Sequence, residues 1–142
     1  MIARLLLILT ISFFLTHNSS SQEVRFDGVY ETNCDWETDD EEGEQGYLRF
    51  YKNGKVISTG TDCMGEASEL KEWFTLENNY AGTGDYTIKD STITFTTTSK
   101  VGSVEYSGTI MKNGKLKLNS KSFINGYEGS EEYHFVQIDG LK

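Results

Sequence analysis

The chain predicts an all-β protein: an eight-stranded antiparallel up-and-down meander closed into a barrel, with one short helix between the third and fourth strands. Three observations predict it. Apolar and polar residues alternate with period two in short runs. Tight-turn pairs, Asn-Gly twice and Asp-Ser once, separate those runs. The composition, with 14 Gly, 8 Tyr, 8 Phe and no Pro in 142 residues, is strand and turn material.

Residues 1–21 precede this pattern and read as a signal peptide. Arg4 leads an 11-residue apolar run, LLLILTISFFL, at 5–15. That is short of the roughly 20 residues that cross a bilayer. Ser19 and Ser21 supply the small residues a signal peptidase accepts. The expectation is a domain at 22–142, periplasmic or secreted, without a membrane anchor. No cysteine precedes Cys34, so a lipoprotein anchor is not expected either. Removal of 1–21 takes one basic residue, Arg4, and no acid, which moves the formal net charge from −9 to −10. Such a balance disfavours nucleic acid and anionic membrane surfaces, which attract excess Lys and Arg.

The first strand is FDGVYETN at 26–33. In YLRFYKNGKVIS the turn Asn53-Gly54 joins the second strand to the third. In GDYTIKDSTITFTT, Tyr86, Ile88, Ile93 and Phe95 share one face across Asp90-Ser91, against Thr87, Lys89, Thr92 and Thr94 on the other. In YSGTIMKNGKLKLNS, Tyr106, Gly108 and Ile110 lead through Asn113-Gly114 to Leu116 and Leu118. Asn-Gly is read as a two-residue hairpin turn, since both residues tolerate positive φ. EYHFVQI at 132–138 is the last strand. Between the third and fourth strands, Ala67, Leu70, Trp73 and Phe74 recur at helical spacing, with Glu66 and Glu69 in the first turn.

Each strand of a meander reverses the last, so the connections divide between two ends. The tight turns bearing Lys52, Lys55, Lys89, Lys112 and Lys115 share one end. The longer segments, at 35–46, 62–82, near Lys100 and at 122–131, share the other, which also collects most of the acid. Loops held by a rigid scaffold are where binding residues sit. Cys34 ends the first strand and Cys63 follows the third, so both fall at the elaborated end. In an exported chain they are expected to form a disulfide that pins the helical segment over the mouth.

Chemistry is sparse. DWETDDEEGE crowds seven carboxylates, Asp35, Glu37, Asp39, Asp40, Glu41, Glu42 and Glu44, into residues 35–44. As a calcium loop it fails: Asp40 stands where a Gly makes the sharp turn and Gly46 where a bidentate Glu is needed. With His17 in the leader, only His134 remains, too few for an ordinary zinc site. No Gly-x-Ser-x-Gly turn exposes a serine. GTGDYT at 82–87 lacks the third Gly of a dinucleotide fingerprint and leads into a strand. The abundance of acids singles out no pair for glycoside cleavage. No catalytic residue, metal site or cofactor is expected, and the protein is not read as an enzyme.

Across nearly the whole of 22–142 the chain resembles the lipocalin-like, calycin-type barrels, particularly small exported bacterial members. The most local element is FDGVYE, where Gly28-Val29-Tyr30 lies at the Gly-x-Trp position of lipocalins, with Tyr30 as the aromatic that packs across the barrel floor. Lipocalins also place an Arg near the last strand against that aromatic and a helix after the eighth strand. Here the last strand has no Arg and the helix falls mid-chain.

The leading functional expectation is a monomeric barrel that binds a small apolar molecule, neutral or cationic, through its acidic open end. The expected lining is Tyr30, Leu48, Phe50, Tyr86, Ile88, Phe95, Tyr106, Leu118, Tyr133 and Phe135, with Trp73 and Phe74 as a lid. Alternatively those aromatics fill the interior. The protein is then an interaction or inhibitor-type module that meets a protein partner through its top loops, with Trp36 as an anchor if exposed.

Overall fold

The computed structural model describes residues 22–36, 42–78 and 80–141. The signal peptide expected at 1–21 and four acids of the 35–44 run, Glu37, Asp39, Asp40 and Glu41, lie outside them. The strands are β1 (Gly28–Thr32), β2 (Gln45–Phe50), β3 (Lys55–Thr61), β4 (Gly82–Lys89), β5 (Thr92–Ser99), β6 (Gly102–Ile110), β7 (Leu116–Ser122) and β8 (Glu128–Gln137). They form a closed antiparallel barrel in sequence order. Closure comes from β1 pairing with β8, in register Tyr30↔Phe135 and Thr32↔Tyr133, so none of the eight described strands is left with an open edge.

The hairpins carry the turn chemistry in a longer form than expected. Tyr51 N–H donates to the Lys55 carbonyl at 2.9 Å and Gly54 N–H to the Tyr51 carbonyl at 3.1 Å. The loop is therefore three residues, Lys52-Asn53-Gly54, with only Gly54 at positive φ, +85°. Met111, Gly114 and Lys115 repeat it, with Gly114 at +83°. In both, the Asn side chain accepts the N–H of the residue two ahead, which stabilises the bend locally. Asp90-Ser91 is the true two-residue turn, with Asp90 at φ +57°.

Two other boundaries differ from expectation. The β5 to β6 connection near Lys100 is only Lys100-Val101, and β8 begins at Glu128, four residues earlier than read. Both strands continue towards the open end because their alternation persists there in polar residues.

Curvature needs bare backbone at inward positions that press on a neighbouring strand. A Cβ at Gly84 would overlap the Thr96 carbonyl oxygen, and one at Gly108 the Lys117 carbonyl oxygen. Glycine lets neighbouring strands coil this closely.

The short helix falls between β3 and β4 as expected, but its form and placement differ. It is a single 3-10 turn, Glu69–Glu72, and it lies outside the barrel. Phe74, Leu70, Ala67 and Ala81 form a second buried cluster with Val29, Tyr47, Ile57, Ile138 and Leu141. The first three of these strand residues point away from the lumen, alternating with inward Tyr30, Leu48 and Val56. The Phe74 carbonyl accepts from Arg49 Nη1 at 2.7 Å and from the Tyr51 hydroxyl at 2.6 Å. Together these clamp Ala67, Leu70, Phe74 and Ala81 to the outer face of β1–β3. On β4–β7 the outward rows, Thr87, Thr94, Thr96, Glu105, Lys117 and Asn119 among them, are polar and exposed. Among the described residues no helix is long and apolar enough to cross a membrane.

Candidate functional site at the open end

The barrel interior has two levels. In the lower level, Tyr30, Leu48, Phe50, Val56, Ile93, Phe95, Ile110, Leu116 and Leu118 are buried against one another. Edge-to-face contacts run from Phe50 to Tyr30 (5.6 Å), Tyr86 (5.1 Å) and Phe95 (5.6 Å), and Phe95 stacks on Tyr106 at 4.6 Å. Val24 is buried beneath this core, and the Tyr30 hydroxyl accepts Arg25 N–H at 2.8 Å. The segment before β1 thus stoppers the plain end.

Towards the open end the inward rows of β1–β5, β7 and β8 turn polar or bare, while β6 keeps Val104 above Tyr106. Thr32 follows Tyr30, Gly46 precedes Leu48, Ser58 follows Val56, and Thr97 follows Phe95. Ser120 and Ser122 follow Leu118, and Glu131 precedes Tyr133. These residues line a chamber of about 930 Å³ that opens between the top loops. Ser58 and Thr97 share a hydrogen bond of 2.7 Å. The Tyr133 hydroxyl donates to Glu131 Oε2 at 3.4 Å. Burial pushes the Tyr133 phenol well above its ordinary pKa, and the nearby Tyr106 and Glu131 push it further. Burial also raises Tyr106, against hydrogen bonds from Ser58 and Thr97. Both phenols are held as neutral hydroxyls.

Five carboxylates line the chamber and its rim: Asp35, Glu42, Glu44, Asp62 and Glu131. Among the described residues no Lys, Arg or His lines it. The rim is braced. Cys34 and Cys63 are disulfide-bonded, with Cα atoms 5.6 Å apart. Asp35 and Glu44 exchange two backbone hydrogen bonds of 2.8 Å, and Cys63 N–H donates to the Glu42 carbonyl at 2.8 Å. Gly43, at φ +65°, fits beneath this brace, where a Cβ would lie 2.6 Å from Cys63 Sγ.

Of the twelve expected lining residues, Tyr106 and Tyr133 reach this chamber. Tyr30, Leu48, Phe50, Phe95 and Leu118 are packed in the lower core, and Phe135 is partly buried against it. Tyr86 and Ile88 border a crevice of about 330 Å³ at the plain end. Trp73 and Phe74 form no lid: Phe74 is fully buried on the outer face and Trp73 is 52% exposed beside it. The disulfide accordingly pins the root of that segment at the rim and does not hold a helix over the mouth. Ser58, Thr97, Ser120 and Glu131 were legible as continuations of the inward alternation, but a search for apolar lining passes over them.

A depression of about 970 Å³ also lies on the outer face of β4–β8. It is the saddle of a curved sheet, with charges of both signs, and Lys121 and Glu128 within it are 3.7 Å apart. No family model matches the chain, and no curated protein or solved structure is detectably similar to it.

Proposed function

We propose that this protein is an exported, lipocalin-like barrel that takes a small neutral or cationic ligand through its acidic open end. The observation that carries this reading is the chamber of about 930 Å³, within the range of small-molecule sites, ringed by carboxylates and without a described basic residue. Its polar walls refine the expected ligand from an apolar molecule to one bearing hydrogen-bonding groups. The disulfide fits an oxidising compartment.

Arg25 supports the family resemblance. Its guanidinium lies 4.0 Å over the Phe135 ring, and that ring is 5.1 Å from Tyr30. The resemblance leads one to expect an Arg against the floor aromatic; Arg25, from before the first strand, packs on Phe135 next to Tyr30.

Native mass spectrometry of protein purified from its own producer tests the reading directly. A co-purifying small molecule, with amide shifts at Ser58, Thr97 and Ser120 when benzyl alcohol is titrated, is the expected result. No bound molecule and no shift at these positions would overturn it.

One observation favours the alternative of a protein-docking module. Trp36 is 53% exposed at the rim beside Asp35, and an exposed Trp is a frequent energetic centre of interfaces. On that reading Trp36→Ala abolishes partner capture while leaving benzyl alcohol shifts unchanged.

A further inference from the structure

β8 carries three acids, Glu128, Glu131 and Glu132, and the barrel treats them differently. Glu128 meets Lys121 of β7 and Glu132 meets Lys115, in the turn before β7, each at 3.7 Å. Glu131 pairs in register with Leu118, an inward residue buried in the core, so Glu131 faces the lumen. Among the described residues it forms no ion pair, and no basic side chain lines its chamber. It stands at the level where the interior changes from apolar to polar, opposite Leu118 and with Ser120 one inward position higher on β7. A carboxylate against a low-dielectric wall, without a counter-cation from the chain, attracts one strongly from outside.

We infer that Glu131 anchors a small organic ammonium ion, a primary amine whose charged head sits on the chamber floor between the Glu131 carboxylate and the Tyr133 phenol. This rests on the reading of the open end as a ligand site and specifies what that site takes. An ammonium head has three N–H donors and no acceptor. Tyr133 spends its proton on Glu131, which leaves its oxygen as an acceptor for the amine. Ser120 offers another hydroxyl oxygen on the adjacent strand. The rim carboxylates Asp35, Glu44 and Asp62 are farther out and solvated, so they draw cations in and repel anions but do not fix the head. A calcium ion asks for about six to eight oxygens, several of them charged. One carboxylate among hydroxyls meets the need of an amine instead.

Benzylamine, benzyl alcohol and benzoate, titrated by amide chemical shift, provide the test. The wild type is expected to bind benzylamine more tightly than benzyl alcohol and benzoate least, with calcium chloride failing to displace benzylamine beyond its ionic-strength effect. Glu131→Gln should weaken benzylamine by about ten-fold or more, as loss of one partly desolvated charge pair does, and leave benzyl alcohol unchanged. Glu131→Asp keeps the charge and should retain the order of preference. The double change Asp35→Asn with Glu44→Gln should slow association and reduce the salt dependence while leaving the preference at high salt. If Glu131→Gln, with benzyl alcohol still bound, takes benzylamine as the wild type does, the anchor is refuted and the ligand site stands. If neither benzyl compound binds the wild type, both fall together.

Discussion

Ser58 and Thr97 hydrogen-bond at 2.7 Å, although β3 and β5 are separated by β4. Gly82 makes this possible. A Cβ there would lie 2.8 Å from Ser58 Oγ and 2.9 Å from Thr97 Oγ1. The bare backbone of β4 lets two hydroxyls meet across it and opens the chamber at the same point. Gly82→Ala should therefore cost about 1–3 kcal/mol by overpacking and shrink the site. Urea unfolding and benzyl alcohol titration check both, and an unchanged variant would mean that the hydroxyls part at no cost.

The Cys34–Cys63 bridge closes a sequence separation of 29 residues at the open end. In the chain-entropy model its loss destabilises by roughly 3–4 kcal/mol. The variant with both cysteines changed to serine is expected to show that loss in urea, with amide exchange quickening first at Asp35, Glu42 and Glu44. Protection lost at the plain end instead would contradict the placement of the brace.

Phe74 and Trp73 are adjacent in sequence and opposite in consequence. Phe74 is fully buried in the outer cluster, so Phe74→Ala should cost about 3–5 kcal/mol. Trp73→Ala, at 52% exposed, should stay within about 0.5 kcal/mol. Neither should alter benzyl alcohol binding. A selective loss of binding in folded Trp73→Ala would return this segment to the mouth.

Burial is the first cause of a raised pKa at Tyr30, Tyr47, Tyr51, Tyr86, Tyr106 and Tyr133, from an ordinary value of 10.0. The unfolded chain loses these phenolic protons first as pH climbs. The contribution to stability is complete below pH 10 and is lost as pH rises past it towards the folded values. Urea midpoints should hold level up to that range and then fall, with phenolate absorbance appearing together with unfolding. Titration of these tyrosines at their ordinary value in a folded barrel would refute the buried environments.

Strand count, order and the cysteine pairing were legible in the sequence, because period-two alternation and turn chemistry are local signals and a meander converts them directly into topology. The site was half legible. Tyr106 and Tyr133 carry the same alternation as Leu118 and Phe95, and nothing local distinguishes an aromatic that fills the floor from one that borders space. The signal for the chamber was present in the rows Phe95-x-Thr97 and Leu118-x-Ser120-x-Ser122, where inward positions lose their apolar character. The outer cluster also left a trace. Val29-Tyr30, Tyr47-Leu48 and Val56-Ile57 are apolar on both faces, which marks β1–β3 as covered on the outside.

By itself the sequence determined an antiparallel barrel with a plain basic end and an elaborated acidic one, since alternation, turns and charge are properties of short stretches. Only the tertiary structure decided where Phe74 goes, how far the aromatic packing rises, and that Glu128 and Glu132 each meet a lysine while Glu131, among the described residues, does not. Those outcomes depend on register and on side-chain volumes summed across strands, and no single stretch of chain contains either.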